Sequence, residues 1–279
     1  MPAFPGNDTR AQECLSSGSV VAGCADRAEA GSLGNVRAAL FVTCLVDGVA
    51  PQVAKATVRV LERVGVTVEM PWAQTCCGQM HVNTGYPREA IPLVRNHVAA
   101  FEGYDAIVVP SGSCTAAIRH QHADIARLAG DSALAAAAAQ IAARTWELSE
   151  FLVDVLGVTD VGAYFPHRVT YHPTCHSLRL LRVGQRPLQL LRAVEGIDLV
   201  ELPDAEQCCG FGGTFALKNA AVSSAMLADK IAAIRRTGAA YAAAGDASCL
   251  LHIGGGMSRL STGIGTRHLA EILATTRRQ

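Results

Sequence analysis

Charged residues are scarce in this sequence. Only 17% of the 279 residues are Asp, Glu, Lys or Arg, and half are hydrophobic, whereas a typical soluble domain is about 25% charged. Lys plus Arg and Asp plus Glu both number 24, and no basic run occurs. A protein without a net positive field does not attract a nucleic acid backbone. We therefore expect no nucleic-acid partner, and the sparse surface charge predicts that a partner covers part of the chain.

Long apolar segments and targeting segments are missing too. The nearest approach to a membrane helix, residues 133–143, is mostly alanine and contains Gln140, and it is shorter than the roughly 18 apolar residues that a span needs. A signal peptide has a positively charged start followed by an apolar stretch, and residues 1–14 have neither. The sequence thus predicts a cytoplasmic protein without a membrane span, in a compartment where disulfides are rare.

Several enzyme motifs are also absent. The glycine runs that begin at residues 210, 254 and 263 each lack the third glycine of the dinucleotide-binding fingerprint, and the sequence contains no phosphate-binding loop. No Ser, His and Asp combination or pair of carboxylates forms a hydrolase motif. We expect no flavin site, no nicotinamide site and no hydrolytic activity.

Cysteine, by contrast, is abundant and follows a repeated pattern. Two of the ten cysteines, Cys14 and Cys24, lie in residues 1–35, a Gly/Ser/Ala/Asp-rich stretch that we interpret as a mobile tail. The other eight form the pattern C, CCG, C twice, with an offset of 131 to 135 residues between the copies. They are Cys44, Cys76, Cys77, Cys114, Cys175, Cys208, Cys209 and Cys249. A repeat of this size indicates duplicated lobes rather than a solenoid.

The text around the cysteines predicts an α/β fold with two pseudo-repeated lobes. In each copy, short β-like runs precede the first cysteine, the CCG and the last cysteine, and helical stretches separate them. Such alternation indicates small parallel sheets flanked by helices. The cysteines then lie at the carboxyl ends of strands, the edge where open parallel sheets bind ligands. We assign the lobes to residues 36–130 and 166–279, joined by an alanine-rich helical connector over 131–165.

The thiolates of each lobe are candidate ligands of one metal centre. Structural zinc sites usually draw on C-x2-4-C pairs, and this sequence contains vicinal cysteine pairs but no C-x-x-C. Adjacent residues rarely direct both sulfurs to one tetrahedral ion without strain, whereas neighbouring thiolates can bind neighbouring irons of a cluster. The spacing therefore favours iron–sulfur clusters over zinc, and zinc stays as an alternative.

Other residues near the cysteines are candidates to support such a centre. Gly78 and Gly210 follow the vicinal pairs, where glycine lets the chain pass close to a cluster and offer amide donors to its sulfurs. His172 and His176 flank Cys175, and His252 follows Cys249 by three residues. These histidines are candidates to donate to the thiolates, and histidine can also replace cysteine on a cluster iron.

At these residues the chain resembles a known family. Two C, CCG, C units are similar to the duplicated cysteine-rich CCG domain found in one subunit of heterodisulfide reductase and in the iron–sulfur subunits of glycolate and glycerol-3-phosphate dehydrogenases. More narrowly, residues 36–275 resemble the lactate utilization protein A family, on the segments FVTCLVD, CCGQ, PSGSC, ELPDAEQCCGFGGTF and CLLHIGG. This resemblance implies an iron–sulfur protein that works with other subunits, among them a ferredoxin-like iron–sulfur protein, to oxidise L-lactate to pyruvate. It also implies that the eight repeated cysteines hold the clusters.

The sequence departs from the wider superfamily at two positions. The CCG-domain subunit of heterodisulfide reductase ends each unit in C-x-x-C, whereas here Ser111 and Asp246 take the first of those places. Four thiolates per lobe suffice for a [4Fe–4S] cluster, so we expect two clusters, one in each lobe, and a role for Ser111 and Asp246 outside the set of ligands.

Three functions remain open from the sequence. The first is electron transfer within a lactate-oxidising system, by a chain that is not active alone. The second is a thiol–disulfide reductase like heterodisulfide reductase, or the iron–sulfur subunit of a glycolate-type 2-hydroxy acid oxidase. The third is a scaffold in which metal only holds the lobes together.

Overall fold

The computed structural model describes residues 37–277, which form two four-stranded parallel sheets flanked by helices. This confirms the predicted α/β class with two repeated lobes. The first sheet, in spatial order β2-β1-β3-β4, contains β1 (Ala38–Leu40), β2 (Val68–Glu69), β3 (Ala106–Val109) and β4 (Thr145–Glu147). The second, in order β6-β5-β7-β8, contains β5 (Arg168–His172), β6 (Asp198–Val200), β7 (Tyr241–Ala244) and β8 (Gly265–His268). The predicted tail, with Cys14 and Cys24, lies outside the described residues.

The central strands are short apolar runs because helices cover both of their faces. β1 and β3 are buried throughout, and they pair in parallel with Ala38 opposite Ala106. In the second sheet β5 and β7 pair in the same way, with Val169 opposite Tyr241. The edge strands β2 and β6 have no fully buried residue. The two lobes therefore repeat the same sheet topology.

Thirteen helices are found among the described residues. In the first lobe these are α1 (Cys44–Val49), α2 (Pro51–Arg63), α3 (Gln79–Asn83), α4 (Ile91–Phe101), α5 (Gly112–His120), α6 (His122–Leu128) and α7 (Ser132–Ala143). The rest of the chain adds α8 (Leu148–Glu150), α9 (Arg186–Arg192), α10 (Phe215–Lys218), α11 (Ala220–Arg236), α12 (Ala247–Arg259) and α13 (Leu269–Ala274). None of the helices between residues 37 and 277 combines the length and the apolarity needed to cross a membrane.

The stretch predicted as a helical connector differs from the prediction. The alanine-rich part forms α7, but the chain then enters β4, which pairs with β3 and completes the first sheet. Threonine and tryptophan in β4 favour extended backbone, and the guanidinium of Arg119 lies 5.3 Å from the Trp146 ring centroid. A fourth strand in the second lobe, β8, was likewise not predicted. Each lobe thus has four strands where the sequence indicated three.

The two lobes share one apolar core. Leu148, Phe151 and Leu152, from the segment after β4, belong to a buried cluster that also includes side chains of α2 and α13. The guanidinium of Arg63, at the end of α2, donates to the carbonyls of Leu273 at 3.0 Å and Ala274 at 2.7 Å. Because these carbonyls lie at the carboxyl end of α13, they have no partner within that helix. The lobes are therefore joined by both apolar burial and hydrogen bonds.

Candidate metal centre

The fold brings the repeated cysteines to the carboxyl edges of the two sheets. In each lobe the first cysteine follows the central strand, the CCG follows the edge strand, and the last cysteine lies in the first turn of α5 or α12. All strands of a sheet are parallel, so their carboxyl ends meet at one edge. The Thr43 hydroxyl accepts a hydrogen bond from the Val46 amide at 3.4 Å and begins α1, which starts at Cys44.

Within the first lobe, the four thiols form one contiguous set. The Sγ atoms of Cys44 and Cys76 lie 3.7 Å apart, and Cys77 contacts both Cys76 and Cys114. Cys77 and Cys114 are buried, whereas Cys44 is exposed. The set therefore extends from the protein interior to the surface.

The second lobe repeats this arrangement. Cys208 contacts Cys175 and Cys209, and Cys209 contacts Cys249. Cys209 and Cys249 are buried, and all four thiols are free, as they are in the first lobe. Each lobe thus gathers its own four thiols without a disulfide, as the repeated spacing predicts.

Both thiol sets line the same cavity, which lies between the lobes. Helix α1 of the first lobe contacts α12 of the second, and α5 contacts the π-helical turn at Ser177–Leu181, which follows Cys175. In each lobe, the helix or turn beside the first cysteine therefore packs against a helix of the other lobe. That helix is the one that carries the other lobe's last cysteine. This reciprocal packing turns the two carboxyl edges towards each other, which the spacing alone does not predict.

The electrostatics of the thiol sets make the sulfurs candidate ligands of a metal cation. Thiols of Cys44 and Cys77 and the Gly78 amide donate to the Cys76 sulfur and lower its pKa to about 2. The pKa of Cys44 is raised by its hydrogen bond to Cys76 and by burial. In the second lobe the pKa of Cys208 is lowered to about 2, first by Cys175 and then by Cys209. Without a cation, each thiolate makes ionisation of its neighbours unfavourable, whereas bound metal stabilises them all.

Two glycines supply amide donors to these thiolates. The Gly78 amide lies 3.4 Å from the Cys76 sulfur, and the Gly210 amide lies 3.4 Å from the Cys208 sulfur. Both glycines have positive φ, +79° and +87°, which disfavours side chains at these positions. A Cβ at Gly210 would also lie 2.7 Å from the Ser223 carbonyl oxygen. The expected amide donors are therefore present in both lobes.

Ser111 and Asp246 lie together at the boundary between the lobes. The Asp246 carboxylate accepts from the Ser111 hydroxyl at 2.8 Å, the Ser113 hydroxyl at 2.9 Å and the Ser113 amide at 2.8 Å. All three residues are buried. Asp246 does not cap its own helix α12 with its side chain. Its carboxylate accepts instead from the Ser113 amide in the first turn of α5, the helix of the other lobe that Ser111 caps. The two positions that carry cysteine in heterodisulfide reductase are thus occupied by a hydrogen-bonded pair that joins the lobes.

This arrangement predicts that Asp246→Ala destabilises the protein without removing metal. The substitution leaves three buried donors without their charged acceptor, and we expect a loss of at least about 2 kcal/mol, or about 4–8 °C in thermal midpoint. Asp124→Ala is a matched control because the Asp124 side chain is 70% exposed. Thermal unfolding and iron content, both measured anaerobically, check the prediction. A decrease in iron by a whole cluster in Asp246→Ala would instead mean that the carboxylate ligates metal.

The three candidate histidines have different surroundings. His172 is 2% exposed, both of its ring nitrogens lack a partner among the described residues, and one of them lies within 4.8 Å of the sulfurs of Cys209 and Cys249. His176 Nδ1 lies 3.6 Å from the Cys175 sulfur, and its Nε2 lies 3.0 Å from Gln79 of the first lobe. His252 Nε2 lies 3.3 Å from the Ser223 hydroxyl. His172 and His176 therefore contact the thiols, while His252 lies behind the Gly210 turn.

Sequence reasoning missed three polar residues of the site. Ser113 helps to hold Asp246, and Gln79 donates to the Ser113 carbonyl at 3.1 Å. Lys230 is 1% exposed and lies behind the thiols of the second lobe. A lysine in a helical stretch indicates a solvated side chain. The available signal was the repeat itself, because Lys230 occupies the place in the second copy that the buried His97 occupies in the first.

The sequence that forms this site is similar to sequences of known proteins. A family model described as a cysteine-rich domain, CCG, matches residues 38–119 and 169–254. Lactate utilization protein A of Geobacillus kaustophilus is 48% identical over 238 residues, covering 85% of this chain and 98% of that protein. Lactate utilization protein A of Bacillus pumilus is 47% identical over 234 residues, covering 84% and 97%.

The chain belongs to the lactate utilization protein A family. The match runs over nearly the full length of these relatives, and a further one, from Oceanobacillus iheyensis, is 45% identical over 242 residues. The family predicted from the cysteine segments is therefore confirmed. The CCG model matches this lactate utilization protein A family member twice, and its site is likewise built from two copies of one unit. The candidate donors of the site are soft thiolates, which suit iron–sulfur clusters or zinc.

Proposed function

We propose that the chain is the iron–sulfur electron-transfer subunit of a multi-component system that oxidises L-lactate to pyruvate. The observation that carries this proposal is that two sets of four free thiols line one cavity. The relatives' name, lactate utilization protein A, supports lactate as the substrate of the system. In this proposal each lobe holds one [4Fe–4S] cluster through its four repeated cysteines, and the protein works in the cytoplasm.

The residues of the site supply what such clusters need. When bound, a cluster accepts and donates single electrons. The thiolates would hold it, and the amides of Gly78 and Gly210 donate to the sulfurs of Cys76 and Cys208. Cys114 and Cys249 lie in the first turns of α5 and α12, where the helix dipole is positive. These donors offset the negative charge of the thiolates.

The shared cavity fits a two-electron reaction carried out in single steps. Oxidation of lactate to pyruvate releases two electrons and two protons. A cluster in each four-thiolate set would accept one of these electrons. Both sets line the same cavity, so the two clusters would face each other directly. The chain thus serves as a two-electron store between the subunit that oxidises lactate and the final acceptor.

Partner subunits are part of this proposal. The sequence contains no flavin or nicotinamide motif, so the hydride or electron pair of lactate needs a cofactor on another chain. Beside the cavity, Met80 is 39% exposed, and the nearby helix α10 presents Leu217 at 83% exposure. These apolar side chains suit docking of a ferredoxin-like iron–sulfur protein and the other subunits.

The rival reductase function has less support. A thiol–disulfide reductase of the heterodisulfide reductase type uses a fifth cysteine in each unit, and here those positions are Ser111 and Asp246. Their oxygens are hydrogen-bonded to each other at 2.8 Å. An oxygen held in this way is a poor substitute for a soft thiolate ligand.

Metal analysis of anaerobically purified protein tests the proposal. We expect a brown protein with about eight irons and about eight labile sulfides per chain, as two [4Fe–4S] clusters require. Labile sulfide is the discriminating quantity, because four thiolates in contact also suit one zinc ion. Stoichiometric zinc without sulfide, after anaerobic reconstitution with iron and sulfide, would show that the proposal is wrong. Electron paramagnetic resonance of the reduced protein should show two interacting clusters.

A further inference from the structure

The buried residues behind the thiols differ between the two lobes. Phe41 precedes Cys44 by three residues, and His172 precedes Cys175 by three. On the following helices, His97 lies seven residues after Ala90, which packs on Gly78, and Lys230 lies seven residues after Ser223, which packs on Gly210. The repeat therefore places phenylalanine and histidine in the first lobe where the second has histidine and lysine.

Lys230 brings a buried positive charge to the second lobe. Its Nζ donates to the carbonyls of Asp204 at 2.8 Å and Ala205 at 3.3 Å. No carboxylate lies within 4.0 Å of Nζ in residues 37–277, and the Asp204 carboxylate pairs with Arg236 at 3.0 Å instead. Burial lowers the lysine pKa, whereas the Cys209 thiol, the Asp204 carboxylate and the Cys208 thiol raise it. The charge of Lys230 therefore acts on the cysteines of the second lobe as well as on Asp204.

His172 adds a hydrogen-bond donor to the same set. Its ring is buried against Cys209 and Cys249, and neither nitrogen has a partner among the described residues. A buried imidazole without a partner is costly, and the acceptors nearest to this ring are the sulfurs of Cys209 and Cys249 and the backbone carbonyl of Ala205. An imidazole carries at least one N–H in either protonation state, so the ring can donate to the thiol set.

The first lobe has a histidine, His81, near Cys76, but no lysine in the place of Lys230. Phe41 packs edge-on against His97, with ring centroids 5.0 Å apart. Burial and the neighbouring His122 lower the pKa of His97 well below its usual range, so this ring is neutral. His122 Nε2 donates to the Cys77 carbonyl at 2.8 Å rather than to a sulfur. The first set of thiols therefore has aromatic and imidazole rings behind it where the second set has Lys230.

We infer that Lys230 and His172 raise the reduction potential of the second-lobe cluster above that of the first, so that an electron entering the chain resides in the second lobe. The inference rests on the proposed function. Reduction adds negative charge, which a nearby buried cation and an N–H donor stabilise. Asp246 is the opposing charge and acts on Cys175 of the second lobe, but its carboxylate is partly compensated by the donors Ser111 and Ser113 of the first lobe. Lys230 and His172 together outweigh this compensated carboxylate, and the net bias favours the second lobe.

A redox titration of the clustered protein, followed by electron paramagnetic resonance, tests this order. Cys76→Ser and Cys209→Ser assign the signals to the lobes. In the wild type we expect the second-lobe signal to appear first, with a preference of at least about tenfold, or 59 mV for a one-electron couple. Lys230→Met should shift the second-lobe potential downwards by a similar amount and leave the first-lobe potential unchanged. His172→Phe, which installs the first-lobe residue, should cause a smaller shift in the same direction.

Lys55→Met is the matched control, because Lys55 is exposed on α2 of the first lobe, and it should change neither potential. Equal potentials in the wild type, or a first-lobe signal that appears first, would overturn the inference even if Lys230→Met failed to fold. A shift of both lobes by the same amount in Lys230→Met would overturn it as well. A wild-type protein without iron and sulfide would instead refute the proposed function, so the two failures are distinguishable.

Discussion

Cys76→Ser should remove about half of the iron and half of the labile sulfide from the anaerobically purified protein, and Cys209→Ser should remove the other half. Cys76 and Cys209 belong to different sets of four thiols. Cys76 contacts Cys44 and Cys77, whereas Cys209 contacts Cys208 and Cys249. Serine oxygen is a harder ligand than thiolate and does not hold a cluster iron well. Iron and sulfide analysis with electron paramagnetic resonance of each variant provides the measurement.

The shared cavity makes this experiment decisive about the number of centres. Because all eight thiols line one cavity, the competing arrangement is a single centre held by both sets. In that case either substitution would remove all of the metal, and the assignment of one cluster to each lobe would be wrong. Cys14→Ser and Cys24→Ser are the controls; both residues lie outside the repeated pattern and outside the described residues, and neither substitution should change the iron content.

The purified chain alone should not turn over L-lactate with an artificial one-electron acceptor, and adding its partner subunits should produce turnover. Removing two electrons from lactate needs a cofactor that accepts a pair or a hydride, and the sequence has no flavin or nicotinamide motif. The thiolate sets of this chain suit centres that move one electron at a time. Pyruvate formation under anaerobic conditions, with clusters fully loaded, is the measurement.

Reduction of the clusters by lactate provides the control for this experiment. In the complete system, the electron paramagnetic resonance signals of this chain should appear on addition of L-lactate, whereas Cys76→Ser with Cys209→Ser should abolish pyruvate formation. Turnover of L-lactate by the wild-type chain alone would contradict the division of labour. It would place the oxidation itself at the cavity between the lobes.

Much of the fold follows from local pattern. The β-like run that the sequence indicates before the last cysteine of the first lobe is the strand Ala106–Val109, and the helical stretch between the first cysteine and the CCG contains α2 (Pro51–Arg63). Both are visible locally, because an uninterrupted apolar run and a helical stripe of buried residues each occupy a few residues of sequence. The strand Thr145–Glu147 was missed because its neighbours are alanine-rich and its role is to pair with β3, about 40 residues earlier in the chain. Pairing over such a distance leaves little local signal.

The sequence by itself determined which thiols lie together in each lobe and at which edge of a sheet they lie. Cysteines that follow parallel strands must reach the carboxyl edge, since strand direction and side-chain position are local properties of the chain. Only the tertiary structure decided that the two edges face one cavity, that Asp246 binds Ser111 across the lobe boundary, and that Lys230 is buried behind the second set of thiols. These contacts depend on how the lobes and helices pack through a shared core, and residues far apart in the sequence meet only after that packing is complete.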